Sequence, residues 1–100
     1  MRLTSVVSIV VPTSRFTSPE HVLARNVADE AVLLQLEAES YFGLDPVGRR
    51  SWELLCAGHS LASAATELSK EYTVTVAQAT ADLIVFAGAL VEAGLLTISE

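Results

Sequence analysis

The stretch from Thr75 to Leu96 constrains this chain more than any other. Thr75-Val76-Ala77-Gln78 fits a capping box, in which the hydroxyl accepts from the third helical N–H and Gln78 reaches back. Gly94 is a natural stop, and Leu95 can make the apolar contact that often accompanies it. The spacing therefore predicts a helix from Val76 to about Ala93. From Leu83 to Val91 it carries no charged side chain. A helix that is apolar nearly all round must be buried nearly all round, and 100 residues offer little material to surround it. Ala79, Leu83, Phe86 and Leu90 form the expected core line. A second line holds Asp82, Val85, Phe86 and Ala89, and a third holds Ile84, Ala87 and Val91. Either the rest of the chain covers every line, or a partner covers one. Asp82 reads either as a solvated acid near the positive end of the helix dipole or as a polar anchor at the edge of a groove.

The segments before this helix suggest what packs on it. His21–Val27 reads as a strand and Ala28-Asp29 as a turn. Glu30–Glu37 reads as a second strand, with Val32, Leu34 and Leu36 on one face and Leu33, Gln35 and Glu37 on the other. Ala38-Glu39 is a second turn and Ser40–Leu44 a third strand, so an antiparallel meander is expected. Asp45 is a good N-cap with Pro46 at the first helical position. That helix runs to about Ala57, with Gly58 as its stop. Its face is Val47, Ser51, Leu54 and Leu55, with Trp52 and Cys56 on the flank. Ser60 caps a further helix, Leu61–Tyr72, whose face is Leu61, Ala65, Leu68 and Tyr72. The fold class is therefore α+β: a three-stranded antiparallel sheet followed by three helices, the layout of a winged helix-turn-helix. Residues 1–15 read as an N-terminal extension, with Val6–Val11 as a strand or extended arm, and residues 16–100 as the domain.

Charge narrows the function classes. Six Lys and Arg stand against 12 Asp and Glu, a net charge of −6. Affinity for phosphate comes largely from Lys and Arg, and the third helix has neither, so nucleic acid is not the expected partner. The longest uncharged run is too short to cross a bilayer, and the N-terminus has no convincing signal-peptide cleavage site. A soluble, cytoplasmic protein is expected. No HExxH, CxxC, Walker or GxGxxG pattern occurs, so no metal or cofactor is expected. His21 and His59 stand apart. Cys56, the single cysteine, reads as a small apolar helix residue, because no motif places a histidine with it. No catalytic residue is assigned, and an enzyme is not expected.

The run Tyr41-Phe42-Gly43-Leu44-Asp45-Pro46-Val47-Gly48, then Trp52-Glu53-Leu54-Leu55 and Gly58, resembles the Y-x-L-N-x-x-G-x-x-I/W-x-L-L-x-G core of the PqqD-like proteins. Ala81-Asp82-Leu83, Phe86, Leu90 and Gly94-Leu95-Leu96 resemble that family's C-terminal helix and its GLL ending. Asp45 stands where Asn is common, which preserves the cap. The resemblance covers roughly residues 20–97 and leaves residues 1–15 outside it. It implies a recognition element for the leader of a ribosomally made precursor peptide. A free-standing chain of this size is most similar to the B1 proteins of lasso peptide biosynthesis. It implies as partners the leader, a separate B2-type leader peptidase and a possible cyclase. The alternatives are a PqqD-type peptide chaperone serving a radical enzyme in quinone cofactor synthesis, a winged-helix transcription cofactor that binds protein, and a structural dimer hiding the third helix.

In such a family the leader adds a strand to the sheet edge and lies between the third strand and the third helix. Ser40, Tyr41, Phe42 and Gly43 are then the edge template, because edge strands carry unpaired backbone groups. Leu34, Leu36, Tyr41 and Phe42 are expected as pocket walls on the sheet side. Asp82, Val85, Phe86 and Ala89 are expected on the helix side, with the small Ala89 leaving room for a ring and Asp82 taking a hydroxyl, an amide or a basic group.

Overall fold

The computed structural model describes residues 10–99; the part of the apolar N-terminal run before Val10 lies outside them. Strands β1 (Phe16–Thr17), β2 (Val22–Val27), β3 (Glu30–Gln35) and β4 (Ser40–Leu44) precede helices α1 (Pro46–Cys56), α2 (Leu61–Glu71) and α3 (Val76–Glu92), and β5 (Thr97–Ile98) follows. β2, β3 and β4 form an antiparallel sheet in that order, so β4 is an edge. β1 pairs with β5 as a separate two-stranded ribbon, Phe16 opposite Ile98. The meander and three helices agree with the sequence expectation. The ribbon is an addition to it, since two residues at each end of the domain are too few to show a strand pattern. Ser14 and Phe16 are buried there, and the carbonyls of Pro12 and Ser14 accept from the first two N–H groups of α2, which have no partner within the helix.

The helix ends form as their capping residues dictate. Asp45, Ser60 and Thr75 each accept from the backbone N–H three residues on, at 2.7, 3.1 and 3.0 Å. Gly58 and Gly94 take positive φ. After each, the next N–H bonds back to a carbonyl of the last turn, His59 to Leu54 and Leu95 to Leu90, which is the Schellman arrangement. The expected reach-back of Gln78 is replaced. Its Nε2 instead donates to Asp82 Oδ1 at 2.9 Å, one turn along α3.

Alternation leaves open which row of β3 faces the core, and the structure settles it: Ala31, Leu33 and Gln35 face inward, while Val32 and Leu34 are half-buried and Leu36 is exposed. Gln35 tolerates burial because both ends of its amide are engaged. Oε1 accepts from the N–H groups of Glu37 and Ala38, and Nε2 donates to the Gly94 carbonyl. The first two bonds also end β3 at Gln35 rather than Glu37, by bending the chain into the turn. On α1, Trp52 joins Ser51, Leu54 and Leu55 in the core, and Val47 is exposed. On α3, Ala87 takes the core position expected of Phe86, completing the line Ala79, Leu83, Ala87 and Leu90. Tyr72 is the C-cap of α2 and is exposed rather than buried. Leu55, Leu61, Leu95 and Leu96, almost wholly buried, join Leu33 and Leu83 at the centre.

Ion pairs brace α1 from outside. Arg50 reaches Glu71 of α2 at 2.8 Å, and Arg49 pairs with Glu53 at 2.9 Å. Arg49 also donates to the carbonyl of Ala28 at 2.8 Å, tying α1 to the turn between β2 and β3. That turn and the next carry Ala28 and Glu39 at positive φ.

Candidate functional site

Between β4 and α3 lies a groove of about 590 Å³. It exists because α3 packs against α2 rather than against the edge strand. Phe42 and Gly43 of β4 form one wall, continued by Asp45, Val47 and Gly48 at the start of α1. Asp82, Phe86 and Ala89 of α3 form the other, and Tyr72 and Val74 lie toward the end of α2. Leu44, Ser51, Leu68, Ala79, Leu83 and Leu90 complete the lining. The floor is thus the outer surface of the hydrophobic core. One flank of α3, carrying Asp82, Phe86 and Ala89, faces this groove.

Five of the expected site residues meet here: Phe42, Gly43, Asp82, Phe86 and Ala89. Ser40 and Tyr41 lie on the same edge strand but outside the groove lining. The placement of Leu34, Leu36 and Tyr41 as walls is corrected by the pleat. Leu34 stands opposite Tyr41 and Leu23 in the ladder, and this row points to the far face of the sheet. Leu36 falls in the turn after β3. Val85 is also corrected. It is 73% exposed and absent from the groove lining, because a 100° step per residue carries it past the rim that Asp82 and Phe86 share.

The sequence reading did not single out Val47, Tyr72 or Val74 as groove residues. Val47 and Tyr72 were assigned to buried helix faces. Their positions at helix ends, where a face runs out of neighbours, were the available signal. Gly43 leaves open space where a Cβ would project, so the edge backbone is accessible there. β4 pairs only with β3, and its other side can take a further strand.

The groove's chemistry suits binding. Apolar side chains dominate its lining, and among the described residues its only charged groups are the carboxylates of Asp45 and Asp82. Among the described residues, no three His, Cys, Asp or Glu side chains gather to hold a metal, and no helix is long and apolar enough to cross a membrane. Cys56 lies outside the groove. Partial burial pushes its thiol up to about 11, so it stays protonated at neutral pH and is a poor nucleophile.

The family described as coenzyme PQQ synthesis protein D (PqqD) matches residues 30–96. No curated protein matches the sequence. Two solved structures resemble the fold. "TbiB1 in complex with the TbiA(beta) leader peptide" is 36% identical, with a TM-score of 0.76, covering 80% of this chain and 93% of that one. "Lasso peptide synthetase B1 complexed with the leader peptide" is 25% identical, with a TM-score of 0.77, covering 83% of this chain and 98% of that one.

Proposed function

Because the chain belongs to the PqqD family, we propose that it binds the leader segment of a ribosomally synthesised precursor peptide in lasso peptide biosynthesis. The observation that carries this reading is the open groove beside an unpaired edge strand, in a chain similar to two B1 proteins solved with leader peptides. The leader adds a strand to β4, and backbone hydrogen bonds set its register. Its inward side chains enter the groove against Phe42 and Phe86, and the apolar area they bury supplies most of the affinity. The protein catalyses nothing. It presents the bound precursor to a separate leader peptidase in the cytoplasm.

Fluorescence polarisation tests the binding. The probes are labelled leader peptides of lasso precursors, beginning with the TbiA(beta) leader bound by the similar TbiB1. Saturable binding that an unlabelled copy competes away is expected; polarisation unchanged at every protein concentration overturns the reading. Presentation is tested separately by adding this protein to a B2-type leader peptidase and the precursor it cleaves. Faster leader cleavage is expected, and an unchanged rate leaves binding as the whole function.

A further inference from the structure

We infer that Asp82 selects leaders that bring a lysine or arginine side chain into the groove beside an apolar one; the inference rests on the leader-binding reading above.

Three observations converge on Asp82. First, its position is not explained by helix capping. It is the seventh residue of α3, beyond the first turn where the helix dipole favours an acid. Second, its carboxylate is exposed and only half engaged within the protein. Gln78 Nε2 donates to Oδ1 at 2.9 Å, and Oδ2 has no hydrogen-bond partner among the described residues. Asp45, the other carboxylate of the groove, is already committed to the N–H of Gly48 as the cap of α1.

Third, among the described residues no cation stands by Asp82, and no Lys, Arg or His lines the groove. Arg49, Arg50 and Lys70 are paired with Glu53, Glu71 and Glu67, and Arg15 donates to the Gly58 carbonyl. Arg25 sits on the far face of the sheet, opposite Val32. A strand laid along β4 expels water from the groove, and a carboxylate losing water needs a partner. An all-apolar leader would leave Asp82 uncompensated. A basic side chain gives it a charge-assisted hydrogen bond.

The test is selection of short random peptides, displayed on their own messenger RNA, against the wild-type chain and against Asp82→Asn. Wild type is expected to enrich peptides with Lys or Arg at one fixed spacing from an apolar anchor. Asp82→Asn, checked for folding by circular dichroism, is expected to keep the anchor and lose the basic position. For one enriched peptide, replacing its basic residue by Met is expected to weaken wild-type binding about three- to tenfold. The same replacement should barely affect Asp82→Asn.

An apolar pattern with no basic position, or a basic position that survives in Asp82→Asn, overturns the inference and leaves leader binding standing. Failure of the wild type to enrich any peptide overturns both readings.

Discussion

Gln35 donates from Nε2 to the Gly94 carbonyl oxygen at 3.2 Å, and a Cβ at Gly94 would lie 2.7 Å from that nitrogen. One contact thus joins β3, the strand on which the groove's edge strand β4 is built, to the end of α3, which forms the other wall.

Gly94→Ala is expected to lower stability by about 1–3 kcal/mol, because alanine must hold a left-handed backbone and crowd the Gln35 amide. Urea denaturation followed by Trp52 fluorescence measures it. An unchanged midpoint would mean that this corner relaxes freely.

Gln35→Leu keeps the volume and removes three hydrogen bonds. A loss of about 1–3 kcal/mol is expected from the unsatisfied groups. Faster amide hydrogen exchange at Glu37 and Ala38 would locate it, and unchanged exchange there would count against the role assigned to Oε1.

Phe86→Ala is expected to weaken leader binding by more than about 1 kcal/mol, as for an aromatic anchor. Fluorescence polarisation on a variant that retains a cooperative melt checks it. Undiminished affinity would remove Phe86 from the site.

Leu34→Ser and Leu36→Ser should leave leader affinity unchanged, since the pleat keeps both out of the groove. A substantial loss in either would put the binding surface on the opposite face of the sheet.

Glu71 is held below its ordinary value of 4.5 by the hydrogen bond and charge of Arg50. A depressed folded-state pKa contributes stability above the ordinary carboxylate range and loses it as pH falls through the folded value. Wild type should therefore melt above Glu71→Gln at pH 7, with the gap closing in acid. A gap independent of pH would refute the assignment.

What could be read from the sequence was what local chemistry determines. Asp45, Ser60 and Thr75 start helices because a side-chain oxygen three residues back satisfies a free N–H, and Gly58 and Gly94 end them because glycine accepts positive φ. The phase of β3 was hidden, since alternation alone cannot say which row faces inward, and the inner row contains Gln35. Its burial depends on Gly94, far along the chain. The ribbon was hidden for a similar reason: Phe16 and Ile98 pair only once the whole domain is between them. Of the groove lining, Asp82, Phe86 and Ala89 followed from helical spacing, and Phe42 and Gly43 from the edge strand that the family resemblance implies. Val47 and Tyr72 did not, because helical period does not report where a neighbouring element stops.

The β1–β5 ribbon has a mechanical consequence. The N–H of Ser99 donates to the carbonyl of Arg15, so the two ends of the domain leave side by side, and neither ribbon strand lines the groove. A pull on Ser99 would peel β5 from β1 one pair at a time, like a zip. A pull from the N-terminal side would first load Pro12 and Ser14, whose carbonyls hold the start of α2. A tether at either end of the domain therefore strains the ribbon or the head of α2 first, and neither of those begins at β4, where a peptide would lie.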